Sequence, residues 1–115
     1  MEKEAKSELK PRVMRLDMTG ADYQAILAGP PESVTMRSGL VQLSAGTSVG
    51  EHSTEGYEEL IVVLEGKGEM RVAGQRPLAI GKGEIVYCPP ETLHNMVNTG
   101  DGVLRYVYVV AKAKQ

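Results

Sequence analysis

"GTSVGEHSTEGYEELIVVLEG", residues 46–66, joins a histidine to an acidic turn and then to the apolar run Leu60–Leu64. Alternate residues of a strand share a face, so Glu59, Ile61 and Val63 point one way and Leu60, Val62 and Leu64 the other. Both sets are apolar beyond Glu59, which predicts a strand covered on both sides. Glu59 then heads a row that points into a protein interior. An unpaired carboxylate there is costly, so either the strand end opens to solvent or Glu59 meets a cation.

Upstream, His52 is followed by "STEGY", a turn in which Gly56 is the expected pivot. A hairpin at this point brings His52 beside Glu59. The second of the chain's two histidines, His94, opens "HNMVN" directly after the turn "CPPET". If the strands close into a barrel, His94 reaches the same inner face. Two imidazoles and one carboxylate on rigid strands make a metal site with open positions for water, oxygen or substrate. The residues alone leave another reading open, in which two isolated histidines sit at strand ends beside a solvated glutamate.

The rest of the chain predicts an all-β protein. "SVTMRSGLVQLSA", "GEMRVAG", "GEIVYC", "HNMVN" and "GVLRYVYVVA" are short extended runs, separated by "GKG", "AGQRP", "PPET" and "NTGDG". Those separators are turn chemistry, and many short strands at even spacing indicate a sandwich or barrel. "RVMRLDM" alternates with period two and reads as a strand. Only Ala21–Ala28 has room for a helical turn or two before "GPP" stops it. "EGKGEM" lacks the Ser/Thr and the helix of a phosphate loop and reads as a hairpin turn. Residues 1–10 read as a polar tail and residues 11–115 as one domain, a length that suits one core.

The segment at 46–66 resembles the first motif of the cupin family: Gly46, His52, Glu59 and Gly66 fall at the family's spacing. Gly83, Pro89, His94 and Asn98 resemble the second motif, and sixteen residues separate Gly66 from Gly83. The resemblance implies a cupin-type jelly-roll barrel of six to eight strands, with metal ligands at His52, Glu59 and His94. It also implies a homodimer, for which "RVMRLDM" is the expected edge. There are two departures. Thr54 stands where the family usually has a second metal histidine, and Glu91 stands where the second motif usually has glycine. Thr54 is a poor ligand, but its hydroxyl can bind a metal-bound water or a substrate. Glu91 places a carboxylate near the barrel mouth and removes a glycine's backbone freedom.

Other candidates are weaker. Tyr106 and Tyr108 share one face of the last long strand, where they either line a cavity or close the core. Cys88 reads as a small core residue rather than a nucleophile. Arg37 and Gln42 lie on opposite faces of one strand, so at most one points inward, and an inward arginine would bind an anionic substrate. Asn98 reads as a residue that bonds backbone.

Composition narrows the function classes. A formal net charge of -2 with mixed signs argues against nucleic acid as a partner. The single cysteine offers no internal disulfide. The charged start "MEKEAKSELK" lacks a signal peptide's apolar stretch, and no apolar run is long enough for a membrane span. The expectation is a cytoplasmic protein. It would bind a divalent ion (Fe, Mn, Ni, Zn or Cu) and act on a small organic molecule by dioxygenase, isomerase or lyase chemistry. The alternatives are a non-catalytic barrel that binds a sugar or small acid, and an assembly protein.

Overall fold

The computed structural model describes residues 9–113, so most of the predicted tail lies outside the described residues. Among the described residues nine strands form, in chain order β1 (Tyr23–Ala28), β2 (Arg37–Leu43), β3 (His52–Ser53), β4 (Tyr57–Glu65), β5 (Lys67–Val72), β6 (Leu78–Gly81), β7 (Ile85–Cys88), β8 (Leu93–Asn98) and β9 (Leu104–Lys112). They build two antiparallel sheets, one ordered β1-β2-β9-β4-β7 and the other β3-β8-β5-β6. The fold is an all-β jelly-roll barrel. No helix of the described residues is long and apolar enough to cross a membrane.

The chain changes sheet repeatedly, and this alternation places the site. After β2 it leaves the first sheet and runs beside β8, with Val49 N–H bonded to the Met96 carbonyl at 3.1 Å and Asn98 N–H to the Thr47 carbonyl at 2.9 Å. Only then does it reach His52 on β3. The turn after His52 returns it to the first sheet at β4. "EGKGEM" is therefore not a hairpin, because β4 and β5 belong to different sheets. Gly66 is the corner between them, in the left-handed region at φ 84°. The core between the sheets is aliphatic, with Ile61, Val63, Met70, Met96 and Leu104 almost wholly buried.

Three further expectations are corrected. Residues Tyr23–Ala28 form a strand, not helical turns: they pair with β2 from Tyr23↔Val41 to Ala28↔Arg37, with a bulge between Ala25 and Leu27. Pairing with an existing edge outweighs the weak local helix propensity of a short segment. "RVMRLDM" forms no strand, and Val13 is almost fully exposed. Side chains hold this segment instead. The Gln24 amide bonds both Asp17 N–H at 2.7 Å and the Arg15 carbonyl at 2.9 Å, and Gln42 Nε2 donates to the Ala21 carbonyl at 2.9 Å. Arg105 adds a bond to the Met18 carbonyl at 3.1 Å. These side chains come from β1, β2 and β9, and on the outward-facing side of β2, which carries Gln42, Leu40 is fully buried.

The third correction concerns β4. Its inward row of Glu59, Ile61 and Val63 is buried as predicted, but the outward row is not fully covered, and Leu60 is 38% exposed. Arg37 and Gln42 do occupy opposite faces. Gln42 binds the N-terminal segment outside, and Arg37, itself exposed, lines the cavity.

Candidate metal centre

Three elements deliver the three donors. His52 and His94 are direct partners across β3 and β8 in one sheet. Glu59 comes from β4 in the other. The histidine and the carboxylate thus meet across the barrel interior rather than along a hairpin. One donor atom from each residue lies within 4.8 Å of the other two. The two imidazoles are 4.4 Å apart between ring centres and tilted by 52°.

The backbone sets the direction of both rings. His52 Nδ1 lies 2.9 Å from the Gly50 carbonyl, and His94 Nδ1 lies 3.0 Å from the Thr92 carbonyl. A carbonyl only accepts, so each Nδ1 carries the proton and donates it. Each Nε2 is then the atom available to an ion, the arrangement in which an outer partner orients a histidine ligand. His94 Nε2 lies 2.9 Å from Glu59 Oε1. The Glu59 carboxylate favours a proton on this nitrogen too, the imidazolium form of His94. The Glu59 hydrogen bond accordingly raises the His94 pKa above the usual imidazole value; burial opposes this, and the Thr92 carbonyl and the Glu59 charge add to the rise.

Thr54 lines the same cavity, but its hydroxyl serves the backbone. It donates to the Pro89 carbonyl at 2.8 Å and accepts from Thr92 N–H at 3.0 Å. The turn that follows His52 is thereby tied to the turn that precedes His94. Glu91 N–H adds a bond to the Glu55 carbonyl at 2.8 Å. Glu55 and Glu91 are also the non-glycine residues with left-handed backbone among those described, at φ 51° and 56°. Glu55, not Gly56, is therefore the turn's pivot. Glu91 keeps the backbone shape of the glycine it stands for, at a cost of about 1 kcal/mol.

A cavity of about 550 Å³ opens beside the three donors, a size that admits a small organic ligand. Tyr106 and Tyr108 both line it. Burial pushes both hydroxyls well above their ordinary range, so they stay protonated; the Glu59 charge adds to this for Tyr106, as does the Tyr23 hydrogen bond for Tyr108. Cys88 is buried opposite Glu59 on β7. Burial and then the Glu59 charge raise its thiol pKa, which leaves it a small core residue. Asn98 bonds backbone only, donating to the Leu43 and Gly102 carbonyls at 2.9 and 2.8 Å and accepting from Gly100 N–H at 2.8 Å.

Fold and donor set define a small antiparallel barrel with an internal two-histidine, one-carboxylate group that could hold a metal ion. The chain belongs to the cupin family: residues 39–110 match the family described as Cupin domain. The protein MJ1618 of Methanocaldococcus jannaschii is 30% identical over 71 residues, which span 62% of this chain and 54% of that relative. The chain thus matches about half the length of this curated relative. Among solved structures, a Cupin 2 conserved barrel domain protein from Salinispora arenicola aligns at TM-score 0.73 and 22% identity, over 90% of this chain and 91% of its own. BH2720 from Bacillus halodurans aligns at TM-score 0.75 and 17% identity, over 91% and 85%. At these identities the likeness concerns the fold.

Proposed function

We propose that this cupin binds a divalent ion through His52 Nε2, His94 Nε2 and the Glu59 carboxylate, and takes a small organic molecule into the adjoining cavity. The observation that carries this reading is the pair of Nδ1 bonds to Gly50 and Thr92, which leave each Nε2 as the ring's remaining donor in a group whose donor atoms lie within 4.8 Å of one another. Borderline nitrogen donors with one carboxylate suit first-row ions, and three protein donors leave open positions. A bound ion would supply Lewis acidity to an oxygen of the organic molecule. The chain itself orients the donors and surrounds the ligand with apolar side chains, and without an ion the Glu59 pairing favours a proton on His94 Nε2.

That proton gives a test. An ion on His94 Nε2 must displace it, so protons and metal compete. Below the raised folded pKa of His94, metal affinity should fall about tenfold per pH unit, or about 1.4 kcal/mol. The apo pair behaves oppositely: its contribution is complete below the unfolded imidazole value of about 6.5 and is lost as pH rises through the higher folded value. The difference in melting temperature between metal-loaded and EDTA-treated protein should therefore shrink from pH 8 to pH 6. A pH-independent difference counts against His94 as a ligand.

A second reading rests on the same pair. Glu59 and His94 satisfy each other at 2.9 Å, so this pair needs no ion and the barrel serves as a metal-independent binding cavity. Protein that copurifies with no ion, and whose stability EDTA does not change, selects this reading.

We also propose that two copies associate through the outward face of β4 and β7. Leu60, Tyr87 and Ile85 are 38%, 56% and 62% exposed there, with Leu60 opposite Tyr87 and Ile85 opposite Val62. A second copy supplies the cover that the outward apolar row of β4 lacks. Sedimentation should give a dimer, and Leu60→Lys a folded monomer. A monomeric parent protein overturns the proposal.

A further inference from the structure

The cavity has a second polar group, which the metal centre does not use. Arg37 on β2, Val110 on β9 and Glu59 on β4 are successive partners across the first sheet. The Arg37 backbone therefore stands level with that of Glu59, two strands or roughly 10 Å away. Its guanidinium carbon lies 4.6 Å from the centre of the Tyr57 ring. Among the described residues it has no hydrogen bond or ion pair. Of the two carboxylates lining the same cavity, Glu59 is paired with His94, and Asp22, exposed as Arg37 is, makes no ion pair with it among the described residues.

One residue further along the inward face of β2, Gly39 makes room for two tyrosines to meet. A Cβ at position 39 would lie 2.7 Å from the Tyr23 ring and 2.9 Å from the Tyr108 ring. The hydroxyls of Tyr23 and Tyr108 are 2.6 Å apart. One proton makes that bond, so the other hydroxyl proton is free to donate into the cavity, which both residues line. The same cavity is also lined by the apolar side chains of Val41, Leu43, Val49 and Met96.

We infer that the cavity selects a small organic carboxylate. Arg37 and the Tyr23–Tyr108 pair hold the carboxylate, and a short apolar body points toward His52 and His94. A guanidinium and a phenol hydroxyl together match the two oxygens of a carboxylate with charge-assisted bonds. The Tyr57 ring fixes the guanidinium while leaving its N–H groups unspent. The inference names the ligand class for the cavity of the proposed function and rests on that reading's small-molecule site. Carboxylate capture at Arg37 does not require the ion.

Calorimetric titration with benzoate tests it, with neutral benzamide as the shape-matched control. Each titration is run with and without EDTA, and the metal content of each sample is measured. Benzoate should bind at least tenfold more tightly than benzamide under both conditions. Arg37→Gln should weaken benzoate at least tenfold and leave benzamide and metal content unchanged. Arg37→Lys should restore part of the loss, and Tyr23→Phe should weaken benzoate severalfold. Thermal melts confirm that each variant is folded. Equal affinity for benzoate and benzamide, unchanged benzoate binding in Arg37→Gln, or no benzoate binding at 10 mM (about 2.7 kcal/mol of association free energy) overturns the inference. Loss of benzoate binding on adding EDTA also overturns it, because the ion would then be the carboxylate's anchor. Absence of metal with benzoate binding intact overturns only the metal proposal.

Discussion

Alanine at His94 is expected to remove the ion and to destabilise the barrel, whereas alanine at His52 should remove the ion alone. The two residues are partners in one ladder but sit in different surroundings. His94 is almost wholly buried and carries the pair with Glu59. His52 is exposed, and its ring bonds only the Gly50 carbonyl among the described residues. His94→Ala leaves a buried carboxylate without its cation, a loss of about 3 kcal/mol. His52→Ala leaves no such charge and should cost under about 1 kcal/mol. Either change leaves two protein donors, too few to retain a divalent ion through purification. Elemental analysis of purified protein together with denaturant melts checks both halves. Metal retained by both variants refutes the three-donor site. Equal stability losses would show that the His94–Glu59 pair does not hold the barrel.

The second large effect is expected from Gly66→Ala. Gly66 is left-handed at φ 84°, and a Cβ there would run into the Val103 carbonyl oxygen and lie 3.0 Å from Leu104 Cα. Both obstacles are backbone of the chain entering β9, so neither can rotate away. Strain of about 1 kcal/mol and overpacking of about 1–3 kcal/mol combine. The melting temperature should fall by roughly 10 °C. Gly46→Ala is the control: Gly46 is also left-handed, at φ 80°, but a Cβ there meets nothing within 4 Å. It should cost only the strain, about 1 kcal/mol. Similar losses in both variants would show that the corner tolerates the added atom.

These two glycines show how far local pattern reaches. Both stand at motif spacing, and the sequence marks them equally. Only the packing separates a glycine needed for its backbone angle from one that also needs empty space. Glu91 makes the converse point. The sequence reads it as a lost glycine, yet the backbone there keeps glycine's left-handed angle because the clasp of the two turns holds it.

The all-β class was legible because short apolar runs broken by turn residues leave no period for a helix. The inward row of Glu59, Ile61 and Val63 was legible because strand alternation is a local rule. Tyr23–Ala28 and "RVMRLDM" were misread for one reason: whether a short segment becomes a strand depends on whether a free edge lies beside it. Tyr23–Ala28 found the edge of β2. Residues 12–18 were caught by the side chains of Gln24, Gln42 and Arg105, none of them close to the residues they hold in any local pattern.

By itself the sequence determined the barrel class, the spacing of its two motifs and the three residues able to act as donors. It also left Glu59 with two ways to be satisfied, a cation or an opening to solvent. Tertiary structure decided the partner: His94 on the opposite sheet, whose protonated form the pairing favours. It decided as well that Thr54 spends its hydroxyl on backbone, and that Arg37 faces the cavity level with Glu59. Strand alternation specifies a face from one residue to the next. Sheet order and register bring residues 37, 59 and 94 to one level, and both depend on pairing between strands far apart in the chain.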